Sequence, residues 1–256
     1  MSDEVNGIEI ETIALSKPGE RELNEDAHGL WHDGRYVIAM VADGAGGHHG
    51  GEVASTIVRS ALLTGFAQAP SLEEAALRRL LAQANRDVVA RQAEGGSLAD
   101  MRSTVALAAI DLHTRMLVTA HSGDSRVYLF RDGAIATRTA DHSLVQQMVV
   151  SGMLDDEGAR VHPQRNVLMS ALGSASEPPA IDISAPIQLL AGDVILLCSD
   201  GIWEPLGDDV LRQTLGDSDN ADQWLTQLDV RLQALARPEQ DNYTALALFV
   251  HPGGEN

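Results

Sequence analysis

Cysteine, aromatic residues and positive charge are all scarce in this chain of 256 residues. The one cysteine, Cys198, excludes a disulfide framework and a zinc site built from several thiolates. Aromatic residues make up 4% of the chain, yet hydrophobic residues make up 44%, which suffices for a packed core. No apolar run approaches the roughly 20 residues that span a bilayer. These features exclude disordered, collagen-like and coiled-coil proteins.

Negative charge dominates the sequence. Asp and Glu number 37 against 18 Lys and Arg, which gives a net charge of -19. Such a surface repels phosphodiester backbones and anionic membranes, so we expect neither nucleic acid nor a membrane as a partner. Residues 1–6 are acidic and lack an apolar signal core, which favours a cytoplasmic protein. The excess of acids has two readings, a solubilising surface or carboxylates that hold metal.

Short β-rich stretches alternate with helical blocks along the chain. The predicted strands are residues 7–15, 27–32, 35–42, 103–112, 116–122, 126–131, 182–189, 194–199 and 244–250. The predicted helices are residues 52–66, a helix that begins near Ser71, residues 143–150 and residues 221–236. No repeat or linker divides the chain. The pattern therefore predicts one α+β domain over residues 1–256, with antiparallel sheets covered by helices.

Two local motifs give sharper predictions. Asp33-Gly34 lies between two predicted strands and is typical of a type I′ hairpin turn, and Asp132-Gly133 predicts a second hairpin. Ser71 precedes Glu74 by three residues, which predicts a capping box at the start of a helix.

Two other Asp-Gly pairs have a different context. Asp43-Gly44 and Asp200-Gly201 end the apolar runs 36–42 and 194–198, and no returning strand follows either pair. A buried strand that ends in a carboxylate places that charge at the edge of a sheet. The following glycine allows the backbone carbonyl to approach a ligand closely.

Further acids occupy similar positions. Glu25 and Asp26 precede one strand, Asp241 precedes another, and Asp124 lies between two strands. Five separate segments thus offer an acid at a strand boundary, which a general surface charge does not predict. Sets of carboxylate oxygens suit hard cations such as Mg²⁺ or Mn²⁺ better than zinc.

Seven segments in this order resemble the metal-dependent Ser/Thr protein phosphatases of the PPM (PP2C-like) family, in particular their bacterial branch. The matching segments cover about residues 8–250 and are Arg21-x-x-Asn24-Glu25-Asp26, Val41-Ala42-Asp43-Gly44-Ala45-Gly46-Gly47-His48, Ser122-Gly123-Asp124-Ser125-Arg126, Asp141-His142-Ser143, Ala171-Leu172-Gly173, Ser199-Asp200-Gly201 and Asp241-Asn242. Each segment alone is a weak signal, but the full series is specific.

The resemblance implies a four-layer αββα sandwich with a binuclear Mn²⁺ or Mg²⁺ centre in a cleft at one end. It implies a bridging role for Asp43, with the Gly44 carbonyl on one ion and Asp200 and Asp241 on the other. Glu25 and Asp26 become direct or water-mediated ligands, and Arg21 binds the phosphate. Asp124 with Asp200 would hold a possible third ion. Residues 152–179 would form a mobile flap beside the site.

The implied reaction is hydrolysis of phosphoserine and phosphothreonine in proteins by direct attack of a metal-bridging water. The leaving alkoxide needs a proton, which His48 or a metal-bound water would supply. Ala45 stands where animal relatives carry the acid histidine, so His48 is the nearest substitute and His49 a weaker one. Glu25 stands where bacterial relatives usually carry glutamine, which leaves open whether it binds metal directly.

Other phosphate-handling classes do not fit the sequence. It has no P-loop motif, and Glu204 stands where a cysteine phosphatase with Cys198 as nucleophile would need arginine. A non-catalytic phosphoprotein-binding module of the same fold remains the alternative. We expect a monomer that acts on phosphoproteins, including a bacterial Ser/Thr kinase and its targets.

Overall fold

Twelve strands and six helices make up the computed structural model, within the described residues 7–46, 49–175 and 177–253. The strands are β1 (Ile8–Lys17), β2 (Asp26–His32), β3 (Tyr36–Ala45), β4 (Arg102–Ser103), β5 (Val105–Asp111), β6 (Met116–Ser122), β7 (Arg126–Arg131), β8 (Ala134–Arg138), β9 (Asp182–Ile183), β10 (Ile187–Gln188), β11 (Val194–Cys198) and β12 (Tyr243–Pro252). The helices are α1 (Gly50–Gln68), α2 (Glu74–Gln92), α3 (Leu144–Val150), α4 (Asp156–Val161), α5 (Asp200–Gly216) and α6 (Ala221–Ala234). None of these helices is long and apolar enough to cross a membrane.

The strands form two antiparallel sheets. One sheet has the order β1-β12-β11-β7-β8, and the other has the order β10-β6-β5-β3-β2, with β4 beside β3 and β9 beside β6. Helices α1 and α2 cover the outer face of the second sheet, and α5 and α6 cover the first. The predicted αββα sandwich of antiparallel sheets is therefore confirmed.

Strand β3 shows how the sequence produces these layers. Its side chains alternate, so that Ile38 and Met40 pack toward the helices whereas Val37, Ala39 and Val41 pack toward the other sheet. All five are buried. A strand that is apolar on both faces can lie only in the interior of such a sandwich.

Helix α2 begins later than the capping box predicted. Its first residue is Glu74, and the preceding Glu73 makes no side-chain cap. The Ser71 hydroxyl instead accepts a hydrogen bond from the Glu73 backbone N–H at 3.1 Å. The predicted capping box is therefore wrong, because Ser71 stabilises the turn before the helix rather than the helix itself.

The two hairpin turns differ in backbone conformation. Asp132 and Gly133 both have positive φ, at 51° and 73°, as a type I′ turn requires. At the first hairpin only Gly34 has positive φ, so the predicted type I′ turn is wrong there. The Asp33 carboxylate holds that turn by accepting hydrogen bonds from the backbone N–H groups of Arg35 and Tyr36.

Helix α5 was absent from the predicted elements. It contains Pro205, and Gly207 has non-helical angles that divide it into two shorter helices. Two predicted strands, 103–112 and 182–189, are each divided into two short strands. The remaining predicted elements occur within a few residues of their expected bounds.

Cys198 lies at the end of β11 and is completely buried. Burial raises the pKa of its thiol well above the usual value. The side chain packs as a small apolar residue, as its place in an apolar run predicts.

Candidate active site

Two aspartates face each other on neighbouring strands at one end of the sandwich. Asp43 continues the row of β3 side chains that faces the other sheet, and Asp26 is its direct partner on β2. The apolar layer between the sheets thus ends in carboxylates. This placement follows from the two-residue period of the strand.

Three more acids reach the same place. Asp124 lies in the loop from β6 to β7, which crosses between the sheets, Asp200 is the first residue of α5, and Asp241 directly precedes Asn242 and β12. A cleft of about 580 Å³ opens here. The predicted site residues that line it are Arg21, Glu25, Asp43, Gly44, Asp124, Asp200 and Asp241.

The electrostatics of the cleft disfavour ionised acids in the absence of a cation. Burial, and then the neighbouring carboxylates, raise the pKa values of Asp43 and Asp200 well above their ordinary range. Burial raises the pKa of Asp26 to about 6 and that of Asp124 to about 7. The positive charge of Arg126 lowers the pKa of Asp124 and so acts against the effect of burial.

Two carboxylate oxygens in this set have no hydrogen-bond partner. Within the described part of the chain, Oδ1 of Asp26 and Oδ1 of Asp200 are buried and unsatisfied. A buried acceptor without a donor is costly, and a buried carboxylate more so. The oxygen-only donor set and its unsatisfied atoms fit divalent cations such as Mn²⁺ or Mg²⁺.

Supporting residues orient the acids from behind. The Ser199 hydroxyl donates to Oδ2 of Asp26 at 2.7 Å and itself accepts from the Thr244 backbone N–H. The Thr104 hydroxyl accepts from the Asp43 backbone N–H at 2.9 Å. Ser199 belongs to one of the matching segments, but the sequence indicates neither its bond to Asp26 nor the roles of Thr104 and Thr244, since only the assembled strands bring these groups together.

Asn242 ties the loop between β1 and β2 to the start of β12. Its carbonyl accepts from the Glu25 backbone N–H, and its amide donates to the carbonyls of Pro18 and Leu23, all at 2.8 Å. These three bonds fix the segment that carries both Arg21 and Glu25. In the pair Asp241-Asn242, it is therefore Asn242 that has the structural role.

Glu25 lies against the first turn of α1. Burial raises the pKa of its carboxyl, and hydrogen bonds from the backbone N–H groups of Gly51 and Glu52 act against that rise. A Cβ at Gly51 would lie 2.7 Å from Cδ of Glu25 and 2.6 Å from the Gly44 carbonyl oxygen. The close approach of α1 to β3 therefore requires glycine at this position.

The Asp124 loop is supported by a buried ion pair. Arg126 donates to both oxygens of Asp141, at 2.8 and 2.7 Å, and its guanidinium lies 3.4 Å from the centroid of the Trp203 ring. Trp203 donates its indole N–H to the Asp124 carbonyl at 3.0 Å. Asp141 and Arg126 therefore have a structural role, since they support the loop beside the cleft that carries Asp124.

Arg21 and His49 lie at the opening of the cleft. Arg21 donates from Nη2 to Oδ2 of Asp241 at 3.0 Å, and both side chains are about half exposed. His49 has a left-handed backbone with φ of 72° and an exposed imidazole. His48, the predicted proton donor, lies outside the described residues.

The family model described as Protein phosphatase 2C matches residues 16–241, which include all the acids of the cleft. The chain belongs to the protein phosphatase 2C family. It is a metal-dependent protein serine/threonine phosphatase, and its substrates are phosphoproteins. The family and the activity expected from the sequence are confirmed, and the alternative of a non-catalytic module is not supported.

Bacterial phosphatases are among the relatives of this phosphatase. It is 31% identical over 236 residues to the serine/threonine phosphatase stp of Listeria welshimeri, covering 88% of this chain and 90% of that one. The crystal structure of Stp1 from Staphylococcus aureus matches with a TM-score of 0.83 and 26% identity, covering 100% and 99% of the two chains. The catalytic domain of PstP in complex with two manganese ions matches with a TM-score of 0.78 and 31% identity, covering 95% and 99%.

The segment predicted as a flap borders the cleft of this phosphatase. It contains α4, and Asn166 and Leu168 line the cleft. Arg165 contacts Glu204 of α5 at 3.0 Å, and Leu172 bridges to Ser103 at the far end of the segment. The segment thus lies beside the cleft and contacts α5 and β4.

A separate cluster of His121, His142 and Asp182 lies outside this phosphatase cleft, with one potential ligand atom of each within 4.8 Å of the others. The Gly123 backbone N–H donates to Nδ1 of His142, which places the His142 proton on Nε2, 3.2 Å from Asp182. The two imidazoles are stacked with centroids 4.5 Å apart, and Nε2 of His121 is hydrogen-bonded to the Ala140 carbonyl at 2.7 Å. We therefore assign the cluster a structural role.

Proposed function

We propose that the carboxylates of the cleft hold two divalent ions, Mn²⁺ or Mg²⁺, at which phosphoserine and phosphothreonine are hydrolysed. The buried and unsatisfied Oδ1 atoms of Asp26 and Asp200 carry this proposal, because they need a positive partner. The two manganese ions of the PstP structure support it.

Each acid has a proposed role. Asp43 would serve both ions, the Gly44 carbonyl would help to hold one of them, and Asp200 and Asp241 would hold the other. Its position opposite Asp26, and its electrostatic interaction with Asp200, Asp124 and Asp241, support this assignment. We further propose that Glu25 and Asp26 bind directly or through water. Asp124 and Asp200 would hold a third ion.

When bound, the ions neutralise phosphate charge and lower the pKa of a water molecule, which is the chemistry that the acids alone lack. Arg21 donates to Asp241 through Nη2, and its remaining N–H groups suit a phosphate oxygen. We propose His48 as the donor that protonates the departing serine or threonine oxygen. We also propose that residues 152–179 form a mobile flap over the bound phosphoprotein.

Metal dependence is tested on a phosphothreonine peptide. Activity should require Mn²⁺ or Mg²⁺ and should vanish with EDTA, and calorimetry should count at least two bound ions. Full turnover by a metal-stripped sample would refute the proposal.

The role of His48 is tested with two leaving groups. Nitrophenolate departs without a proton, whereas an alkoxide does not, and a general acid contributes about 10²–10⁴-fold. His48→Ala should therefore lower kcat much more on the phosphothreonine peptide than on nitrophenyl phosphate. His49→Ala, the matched control, should affect both substrates mildly and equally. Equal slowing of the two substrates by His48→Ala would exclude it as the acid.

The physiological partners are proposed from the activity, because phosphoserine and phosphothreonine in proteins are the products of Ser/Thr kinases. We propose a cytoplasmic monomer that acts on a bacterial Ser/Thr kinase and on the targets of that kinase. Phosphoproteomics of a deletion strain should show phosphosites that accumulate, and size-exclusion chromatography with light scattering tests the monomer. An unchanged phosphoproteome would contradict the kinase partnership.

A further inference from the structure

A second groove opens directly from the catalytic cleft. Its volume is about 550 Å³, and it shares the lining residues Ala45, Thr104 and Leu168 with the cleft. A molecule that occupies the cleft can therefore continue into this groove without leaving the protein surface. None of the proposed metal ligands lines it.

Arg102 stands in this groove with an exposed side chain. Among the described residues no ion pair or side-chain hydrogen bond engages its guanidinium, although the chain has 37 acids for 18 basic residues. The proposed phosphate ligand Arg21, by comparison, is paired with Asp241. An unengaged guanidinium in a concave site is available to an anionic group of a ligand.

The strand register places Arg102 near the catalytic acids. Arg102 of β4 pairs with Ala45 of β3, two residues beyond Asp43. With about 3.3 Å per strand residue and about 5 Å between paired Cα atoms, the Cα atoms of Arg102 and Asp43 are roughly 8 Å apart. An extended peptide covers that distance in two to three residues.

The other walls of the groove suit a peptide backbone and its side chains. They combine apolar side chains, among them Leu168, Met169 and Pro178, with the hydroxyl groups of Ser170 and Ser174. Met169 is 54% exposed. Glu177 also lines the groove, and its carboxylate repels negatively charged groups of a ligand on that side. The groove therefore offers the Arg102 cation at a defined place, among apolar side chains, hydroxyl groups and the Glu177 carboxylate.

We propose that this groove binds the part of the substrate next to the phosphorylated residue, and that Arg102 selects an acidic side chain there. The proposal rests on the proposed catalytic cleft, since it takes the phosphorylated residue to lie among the acids. Arg102 is then a specificity-determining residue, which acts on substrate binding and not on the chemical step.

The test uses phosphothreonine peptides that carry Glu or Gln at one position, scanned over three residues on each side. The measured quantity is the ratio of kcat/KM for the Glu peptide to that for the Gln peptide. Wild type should favour Glu at one position or two neighbouring positions by roughly threefold to tenfold, the range of one charge-assisted contact at an exposed site. The preference should reside in KM.

Three variants sharpen the result. Arg102→Gln should bring the ratio close to one, Arg102→Lys should restore part of it, and Glu177→Gln should raise it. Arg231→Gln, which removes the same charge from the exposed face of α6, should keep the wild-type ratio.

Separate outcomes overturn the two proposals. A wild-type ratio of one at every position, or the same ratio in wild type and Arg102→Gln, would refute the role of Arg102 while turnover continued. Absence of metal-dependent turnover on every peptide would refute the proposed function of the cleft instead.

Discussion

This phosphatase has two sets of buried or partly buried acids, and the sets differ in the groups that donate hydrogen bonds to them. Asp141 and Asp193 each accept two hydrogen bonds from an arginine, Arg126 and Arg131 respectively, at 2.7 to 2.8 Å. The acids of the cleft have hydroxyl and backbone donors but few cations, and two of their oxygens have no donor.

The difference separates acids that stabilise the fold from acids that we propose to bind metal. An acid paired with arginine is compensated whenever the chain is folded, so its contribution does not depend on what is bound. In their ionised form, the buried acids of the cleft destabilise the fold unless cations bind. Metal binding must then add to stability as well as activity, because it favours the folded state by mass action.

The largest expected effect is that of Asp43→Asn on activity. If Asp43 serves both ions as proposed, its removal should lower kcat/KM by more than about 100-fold, beyond the cost of losing an outer partner. The metal-free protein should nevertheless become more stable, since a poorly compensated carboxylate is removed. Peptide dephosphorylation and urea unfolding in EDTA measure the two effects.

Asp33→Asn is the matched control, because it removes the same charge at the other end of the β2–β3 hairpin. The asparagine carbonyl can still accept the two turn hydrogen bonds, so both measurements should stay near wild type. An unchanged metal count in Asp43→Asn by calorimetry would contradict the assignment.

Asp141→Asn should have the opposite signature. It removes the carboxylate that binds the buried Arg126 through two hydrogen bonds and leaves the more distant Asp208, at 3.8 Å, as its anionic partner. The free energy of unfolding should fall by about 3–5 kcal/mol, with or without Mn²⁺. Glu74→Gln, which breaks the exposed pair with Arg78, should cost less than about 1 kcal/mol. If the two variants lose equal stability in denaturant titrations, the contrast between the sites fails.

The pH dependence of metal-free stability should follow the acids of the cleft. Folding raises the pKa of Asp26 to about 6 and that of Asp124 to about 7, above the unfolded value near 4. The stability that these two protonated carboxyl groups contribute to the folded state is complete below pH 4, and it is lost as the pH rises through 6 and 7. In EDTA the free energy of unfolding should therefore fall by on the order of 3 kcal/mol between pH 5 and pH 8.

Saturating Mn²⁺ should remove most of this decline, and Asp124→Asn should flatten it in EDTA. Chemical denaturation at several pH values measures the slope. A metal-free stability that rises toward pH 8 would show that the cleft acids do not control it.

Ser199→Ala should have the smallest effect. It removes the hydroxyl that donates to Asp26, and loss of such an outer partner weakens metal binding by about tenfold or somewhat more. Calorimetric titration with Mn²⁺ should show the weaker affinity, with turnover largely restored at high metal. Ser71→Ala is the control, because Ser71 lies in the turn before α2 and does not line the cleft. This variant should bind Mn²⁺ like wild type.

The sequence predicts the sheets and the acids better than their supports. Strand β3 is apolar at seven consecutive positions before Asp43, so both its burial and the position of its carboxylate can be predicted from the chain alone. The same reasoning applies to β11 and Asp200. These features depend on local pattern, which a single sequence contains.

The missed features depend on tertiary contacts. Pro205 and Gly207 obscure α5, which is stabilised by burying Ile202, Trp203 and Leu206 in the core. Residues 103–112 form two strands because the Thr104 backbone N–H donates to the Asp43 carbonyl, outside the regular ladders. No periodicity of the segment itself indicates that bond.

The supporting hydrogen bonds of the cleft are also beyond local reasoning. Ser199 and Asp26 are separated by 173 residues, and Asn242 and Glu25 by 217. Both residues stand in matching segments, but serine and asparagine are common in turns, so their hydrogen-bond partners cannot be assigned until the strand order is known. Nothing in the sequence distinguishes Arg102 either, and only its pairing with Ala45 shows that it lies near the cleft.

The burial of Cys198 has a consequence for how this enzyme responds to its chemical surroundings. Peroxides and alkylating reagents attack the thiolate, and susceptibility depends on thiolate character and exposure. Here the only sulfhydryl is shielded by the sheet and α5 and α6, and its raised pKa keeps it protonated. Oxidative conditions that silence phosphatases with a catalytic cysteine find no comparable target in the folded chain, so dephosphorylation here is insulated from thiol chemistry.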